Sequence, residues 1–208
     1  MGKIKILLVD DHTIVREGLR VLIELQEDMS VVGEAANGTE AISLYSDVMP
    51  DVVLLDLVLP DMYGVDVMKK IRHCHSDAAI AILTTFQGEE DIYRAFEAGA
   101  RGYMLKDTPR TELFEAIRKI RNGDRYITVE IAGKLAAYVG KSNLTSREME
   151  ILNLISKGYA NKMIAEKMYI TEGTVKTHVN HILSKLSVKS RTEALKIAHD
   201  RGLLRNRG

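Results

Sequence analysis

Carboxylates at the ends of apolar runs are the first residues in this sequence that could do chemistry. Asp56 lies near the end of the apolar stretch DVVLLDLVLPD, and Asp10 and Asp11 directly follow the apolar run KILLV. Burial of a lone charge in such a stretch is costly unless a partner compensates it. Several carboxylates brought together repel one another, and a shared cation would relieve that repulsion.

Two further residues could complete a site around these carboxylates. Thr84 and Lys106 end later apolar runs of the same half of the chain, so a hydroxyl and an ammonium would join the acidic oxygens. Oxygen ligands suit Mg²⁺, which takes one or two carboxylates and keeps several waters. A nucleophilic Asp, a metal, a hydroxyl and an ammonium predict a site that accepts a phosphoryl group on a carboxylate oxygen.

The elements that must position these residues alternate along the first half of the chain. Short apolar runs predict buried parallel strands at 5–10, 30–35, 51–56, 79–85 and 102–106. Amphipathic stretches between them predict helices, the first of which places on one face Ile14, Val15, Leu19, Leu22 and Ile23. This alternation predicts an α/β fold, a doubly wound five-stranded parallel sheet in the order 2-1-3-4-5. Strands 1 and 3 are neighbours in that order, so Asp10, Asp11 and Asp56 would meet at one edge.

The second half of the chain has a different pattern. A mixed segment, 123–143, contains one short predicted helix around Val129–Val139, and from Leu144 onward the signals are helical. Thr145 with Glu148 has the spacing of a capping box, and Thr171 and Ser190 are predicted helix N-caps. The predicted domains are therefore 1–122, a linker at 123–143, and a small all-α domain at 144–208.

Charge divides along the same boundary. Residues 1–122 have 14 basic and 21 acidic side chains, a net charge of −7, whereas residues 123–208 have 15 and 8, a net charge of +7. A basic second half suggests an anionic partner such as nucleic acid. The single cysteine, Cys74, excludes an intrachain disulfide and predicts a buried or half-buried thiol in a reducing cytoplasm. No signal peptide or membrane span is predicted, so we expect a cytoplasmic protein.

The first half resembles the receiver domain of bacterial response regulators in the motifs LLVDDH, VVLLDLVLPDMYG, ILTTF and GYMLKD. The resemblance implies that Asp56 is the phosphoacceptor and that a sensor histidine kinase is the donor. It also implies that Mg²⁺ is bound by Asp11, Asp56 and the carbonyl of Val58, with help from Asp10.

The same resemblance implies a switch. Thr84 and Lys106 would bind the phosphoryl group, and Tyr103 matches the aromatic residue that turns inward on activation. The phosphorylated receiver would then either release the DNA-reading helix or form a homodimer.

In the second half, a helix, a tight turn and a second helix are typical of a helix-turn-helix DNA reader. The segment from LTSREMEILNLISKG to EGTVKTHVNHILSKL is similar to the LuxR-type domain, which makes the whole chain resemble a NarL/FixJ-type response regulator. That resemblance places toward DNA bases Lys176, Thr177 and Asn180, and near phosphates Thr174, His178 and Lys185. His178 and His181 are not predicted to be a metal pair, because the sequence shows nothing nearby to complete a site.

These observations predict a phosphorylation-activated transcription regulator that binds promoter half-sites in double-stranded DNA and is not a metabolic enzyme. RNA polymerase is a further candidate partner. A phosphatase using the same acidic site is one alternative, but it would want a second acid two residues after the nucleophile, where Val58 stands. A DNA-binding protein with a degenerate receiver is another alternative, although all the acceptor residues are present.

Overall fold

Leucine-, isoleucine- and valine-rich runs form a parallel sheet in the first part of the chain. The structure is a computed structural model that describes residues 2–139 and 144–204. The strands are Ile4–Val9 (β1), Met29–Ala35 (β2), Val52–Leu55 (β3), Ile80–Thr84 (β4), Gly102–Leu105 (β5) and Tyr126–Ile127 (β6). Their order is β2-β1-β3-β4-β5-β6, with parallel pairing throughout. The predicted doubly wound fold and its order 2-1-3-4-5 are confirmed.

The predicted strand count is wrong, because the sheet has a sixth strand. Tyr126 and Ile127 pair with Gly102 and Tyr103 in a segment that the sequence suggested was linker. A strand of two residues is too short to show an alternation of apolar and polar side chains, so the sequence gives no signal that predicts it. The sheet of the first unit therefore continues beyond residue 122.

Helices separate the strands as predicted. They are Thr13–Glu24 (α1), Gly38–Val48 (α2), Gly64–Cys74 (α3), Glu89–Glu97 (α4), Arg110–Arg121 (α5) and Val129–Val139 (α6). Gly99 and Gly123 have φ of +95° and +96° just past α4 and α5, where a left-handed residue ends a helix. One apolar cluster joins β1, β3 and β4 to Ile23 of α1 and to Phe114 and Ile117 of α5.

Two side chains differ in exposure from the sequence-based expectation. Ile14 was expected on the buried face of α1 but is 85% exposed, whereas Ile23 is fully buried and Leu19 and Leu22 pack against the core. Ile14 stands nine residues before Ile23, about two and a half helical turns, which places it on the opposite face of α1. Cys74, the last residue of α3, is exposed rather than buried or half-buried.

The chain forms two compact units, one of residues 1–86 and 92–133, the other of residues 87–91 and 134–208. This division does not decide the predicted domain limits, which stay predictions. The predicted linker helix around Val129–Val139 is present as α6, and the linker residues 140–143 lie outside the described part of the chain. Within residues 2–139 and 144–204, none of the helices has the length and apolar composition needed to cross a membrane.

The second unit is helical and its helix starts are set by side-chain caps. Its helices are Ser146–Ser156 (α7), Asn161–Met168 (α8), Glu172–Lys185 (α9) and Arg191–Asp200 (α10). Thr145 forms the predicted capping box with Glu148, and Thr171 and Ser190 accept hydrogen bonds from backbone amides at the starts of α9 and α10. Each prediction of a cap is confirmed.

The apolar face of α9 forms the centre of this unit. Val175, Ile182 and Leu186 are buried, while Val179 and Leu183 are partly buried against the same cluster. Lys176, Thr177 and Asn180 consequently lie on the opposite, exposed side, as the sequence predicted. Lys185 was expected there too, but it is half-buried. Tyr169 joins α8 to α9 in a left-handed conformation, with φ of 55°, at the tight turn of the helix-turn-helix.

Gly173 weakens the start of α9, and its replacement tests this. A methyl group built on Gly173 would meet only Thr171 Oγ1 at 3.7 Å, an ordinary contact, and its φ is not positive. Gly173→Ala should therefore slow hydrogen exchange of the α9 amides about two- to fivefold, as expected from the greater helix propensity of alanine.

Gly158→Ala is the matched control, because Gly158 has a φ of +83° that alanine adopts only with strain. In this control variant, hydrogen exchange of the backbone amides should be faster than in the wild type. Faster exchange in Gly173→Ala would show that α9 requires glycine near its start.

Candidate functional site

Main-chain hydrogen bonds place the ends of β1 and β3 side by side. The amide of Asp56, which follows β3, donates to the carbonyl of Val9 at 2.8 Å, and the amide of Asp10 donates to the carbonyl of Ala35 at 3.1 Å. Asp10 and Asp56 are therefore the first residues beyond their strands, at the carboxyl edge where ligands bind in open parallel sheets. The predicted convergence of these carboxylates is what the structure shows.

An ammonium group joins the two buried carboxylates. Lys106 Nζ lies 2.6 Å from Asp10 Oδ2 and 2.7 Å from Asp56 Oδ2. The side chains of Asp10 and Asp56 are only 4% and 6% exposed, so neither charge is solvated by bulk water. The lysine thus provides the compensation that a buried Asp56 requires.

The electrostatics of Lys106 follow from this contact. Burial alone would lower the pKa of Lys106, but its hydrogen bonds to Asp10 and Asp56 outweigh that effect and raise the pKa above its ordinary value. The group therefore stays charged at neutral pH. The second oxygen of Asp56, Oδ1, accepts a hydrogen bond from the amide of Leu57 at 2.6 Å.

Asp11 and His12 complete the acidic side of the pocket. His12 Nδ1 lies 2.7 Å from Asp11 Oδ1 and 3.1 Å from Asp10 Oδ1, and the amide of His12 also donates to Asp10 Oδ1. Oxygens of Asp10, Asp11 and Asp56 and a ring nitrogen of His12 lie within 4.8 Å of one another. His12 was not predicted from the sequence, although its position directly after two aspartates is a signal for it.

Thr84 ends β4, and Tyr103 lies in the neighbouring strand β5, the strand that Lys106 follows. Thr84 is fully buried at the end of β4, and its Oγ1 accepts a hydrogen bond from the amide of Phe86 at 3.4 Å. The amide of Lys106 donates to the carbonyl of Thr84 at 2.9 Å, which places the two predicted residues on adjacent strand ends. Tyr103 is buried, and its hydroxyl donates to the carbonyl of Phe86 at 2.9 Å.

The close approach of Gly64 and the hydrogen bonds of Asp61 fix the loop after Asp56. A Cβ on Gly64 would lie 2.3 Å from the Asp56 carbonyl oxygen, so no larger residue fits at the start of α3. Asp61 accepts hydrogen bonds from the amides of Gly38 and Thr39 and from the Thr39 hydroxyl. Burial opposes the effect, but these hydrogen bonds lower the pKa of Asp61 to about 2. Val58, in the same loop, is 41% exposed.

The second unit presents the predicted DNA-reading residues on α9. The structure exposes Thr174, Lys176, Thr177 and Asn180, and it half-buries His178. Lys176 Nζ forms an exposed ion pair with Glu172 at 3.2 Å, a contact of the kind that contributes little and is readily exchanged. These residues can reach a ligand on the exposed side of α9.

Lys185 and the two histidines of α9 lie near a carboxylate that the sequence did not indicate. Lys185 Nζ lies 2.8 Å from Glu148 Oε2, which turns this lysine toward α7. The expectation that nothing near His178 and His181 could complete a metal site is wrong, because Glu148 offers a carboxylate oxygen near a ring nitrogen of each. The sequence identified Glu148 only as a capping residue. Its burial against α9 is a tertiary contact that local spacing does not reveal.

A parallel sheet with this acidic edge is typical of a receiver domain, and the helix-turn-helix unit is typical of a DNA-binding domain. The family models for the response regulator receiver domain and for bacterial regulatory proteins of the luxR family match residues 6–118 and 142–198, respectively.

Known proteins resemble the chain over nearly its full length. The transcriptional regulatory protein LiaR of Bacillus subtilis (strain 168) is 42% identical, over 94% of this chain and 97% of its own length. The response regulator protein VraR of Staphylococcus aureus (strain NCTC 8325 / PS 47) is 41% identical, over 97% and 99%. Among solved structures, the response regulator ChrA of a heme-sensing two-component system is 38% identical, with a TM-score of 0.59, over 98% of this chain and all of its own.

The chain therefore belongs to the response regulator family, in the group that carries a LuxR-type DNA-binding domain. It is a phosphorylation-dependent, DNA-binding transcription regulator of a two-component system and not a typical enzyme.

Removal of Lys106 tests the charge balance of the pocket. In Mg²⁺-free buffer at pH 7, Lys106→Gln should lower the free energy of unfolding of the receiver by about 3 kcal/mol, because Asp10 and Asp56 would face each other without a cation. Added Mg²⁺ should reduce this difference. Urea denaturation with and without EDTA measures both effects.

The pH dependence of the wild type follows from the raised pKa of Lys106. The contribution of this lysine to stability is fully present below the unfolded pKa of about 10.4 and is lost as the pH rises through the folded value. Lys119→Gln is the control, because its ion pair with Glu115 is on the surface. Equal stability of Lys106→Gln and wild type would contradict this account of the pocket.

Proposed function

We propose that Asp56 accepts a phosphoryl group from a phosphohistidine of a sensor histidine kinase. The observation that carries this proposal is the contact of Lys106 with both Asp10 and Asp56 at the carboxyl edge of the sheet. An Asp56 oxygen attacks phosphorus in line, the bond from phosphorus to the histidine nitrogen breaks, and the histidine leaves. The only chemistry proposed for the protein itself is this self-phosphorylation and a later hydrolysis of the acyl phosphate.

The acidic residues fit a bound Mg²⁺. Three carboxylates supply hard oxygen ligands within a few ångströms, which is the donor type that Mg²⁺ takes. Asp11 and Asp56 would hold the ion with the carbonyl of Val58, and Asp10 would assist. When bound, the ion neutralises charge on the transferring phosphoryl oxygens.

Lys106 and Thr84 would bind the transferred phosphoryl group. The Lys106 ammonium exchanges its contact with the Asp56 carboxylate for a contact with a phosphoryl oxygen, and the Thr84 hydroxyl donates to another. Thr84 shares a short segment with Phe86, whose carbonyl accepts from Tyr103. Movement of Thr84 toward the phosphoryl group therefore displaces the acceptor of Tyr103, which supports the role of Tyr103 as a switch residue.

The output of the switch is DNA binding. We propose that phosphorylation produces a homodimer, or opens the domains, and that α9 then reads promoter half-sites, with RNA polymerase as a further partner. Lys176, Thr177 and Asn180 would face bases, and Thr174, His178 and Lys185 would face phosphates. For Lys185 this requires release from its contact with Glu148. The domains that do this would be 1–122 and 144–208. A protein that binds promoter DNA would be located in the bacterial cytoplasm.

The assignment of Asp56 is tested by intact-mass spectrometry. After incubation with acetyl phosphate and Mg²⁺, the wild type should gain about 80 Da, the mass of one phosphoryl group. Asp56→Asn should abolish the gain, because an amide oxygen is a poor nucleophile. Asp66→Asn, an exposed carboxylate in the first turn of α3, is the matched control and should be modified like the wild type. An adduct of the same size on Asp56→Asn would place the phosphoryl group elsewhere.

The role of α9 is tested with DNA found by phosphorylation-dependent footprinting on genomic fragments. Lys176→Ala should weaken binding to the footprinted site by about 1–3 kcal/mol but leave binding to unrelated DNA nearly unchanged, because a base contact gives specificity. Fluorescence anisotropy at several salt concentrations measures both. Lys157→Ala, an exposed lysine at the end of α7, is the control. An equal loss on both DNAs would reassign Lys176 to a phosphate contact.

A further inference from the structure

Two histidines of α9 and a buried glutamate of α7 form a cluster that phosphoryl transfer does not use. A carboxylate oxygen of Glu148 and a ring nitrogen each of His178 and His181 lie within 4.8 Å of one another. We propose that these three residues bind a divalent transition-metal ion such as Zn²⁺ in the DNA-binding unit, separate from the Mg²⁺ pocket.

Glu148 is held so that one of its oxygens faces the histidines. Its side chain is 4% exposed, and its Oε2 accepts hydrogen bonds from the Thr145 amide at 2.7 Å, the Thr145 hydroxyl at 3.0 Å and Lys185 Nζ at 2.8 Å. Its Oε1 lies 4.0 Å from His181 Nδ1. Hydrogen bonds on the far oxygen of a ligating carboxylate are the usual way in which a protein orients a metal ligand.

His178 has a buried ring nitrogen that lacks a protein partner. Within the described part of the chain, its Nδ1 is inaccessible to solvent and makes no hydrogen bond. Buried polar atoms are rarely left unpaired, because each costs free energy of desolvation. His178 also offers a ring nitrogen to the cluster with Glu148 and His181, and a cation bound by all three residues would give its imidazole a polar partner.

The chemistry of the donors selects the type of ion. Two imidazoles and one carboxylate match the ligand set of Zn²⁺ sites that leave a fourth position to water, whereas Mg²⁺ and Ca²⁺ prefer oxygen alone. His178 and His181 are three residues apart on one helix, so both rings project from the same face. Ligands of a tetrahedral Zn²⁺ lie about 3.3 Å apart for bonds of about 2.0 Å. The side chain of His181 is 61% exposed and can rotate to close the remaining distance.

Lys185 limits the affinity but does not block the site. Its ammonium contacts the opposite oxygen of Glu148, so the carboxylate would lie between two cations. Repulsion between the ammonium and the ion makes the site weaker than a closed site with four protein ligands. Zn²⁺ would connect α7 to α9 through side chains, and it would bind His178, one of the residues proposed to face DNA phosphates.

The test uses the full-length protein in saturating Mg²⁺, which keeps a hard ion in the acidic pocket. Zn²⁺ is titrated in competition with a chromophoric chelator, and Co²⁺ is added in its place to record the visible absorption of tetrahedral coordination. The wild type should bind one Zn²⁺ at this site and show the Co²⁺ bands. His181→Ala should weaken Zn²⁺ binding tenfold or more and remove the bands. Because His181 is exposed, the variant should stay folded, and circular dichroism checks this directly.

Two control variants make each result decisive. His199→Ala removes another exposed histidine, on α10, and should bind Zn²⁺ like the wild type. His12→Ala removes the imidazole of the acidic pocket and should also leave the site intact. Equal Zn²⁺ affinity of wild type and His181→Ala would overturn the proposal, and so would a loss confined to His12→Ala, because the ion would then be in the receiver.

Discussion

The contact of the Lys106 ammonium with Asp10 and Asp56 is the interaction on which the receiver pocket depends. Two carboxylates on adjacent parallel strands cannot both be buried and ionised without a nearby cation. The sheet order supplies that cation from the end of β5, two strands away from Asp56. The chain can therefore keep the charged carboxylate of Asp56 inside an apolar sheet edge and still fold.

The sequence predicted the sheet and the pocket because their signals are local and repeated. Each strand is an apolar run followed by a polar residue, and parallel order brings those polar residues to one edge. The same reasoning could not find β6, since two residues have no periodicity. The exposure of Ile14 was available from the sequence, because Ile14 lies about 180° around α1 from Ile23. The contacts of the His12 ring with Asp10 and Asp11 were missed because local spacing does not show how the backbone bends after β1.

In the second unit, the sequence predicted the contacts between residues close in the chain, and it did not predict the contacts between helices. The caps at Thr145, Thr171 and Ser190 follow from residues three positions apart. Glu148 has the spacing of a cap, and nothing in that spacing indicates that its carboxylate also meets Lys185 and the histidines of α9. Contacts between helices depend on how the apolar faces pack, and the pattern of one helix does not contain that information.

The hydrogen bond from the Lys106 amide to the Thr84 carbonyl has a mechanical consequence. It ties together the backbones of the two residues that would contact the phosphoryl group, so a shift of the backbone at the end of β4 would either carry the end of β5 with it or break this hydrogen bond. The link therefore favours joint movement of the two strand ends, while the side chains of Thr84 and Lys106 stay able to rotate separately.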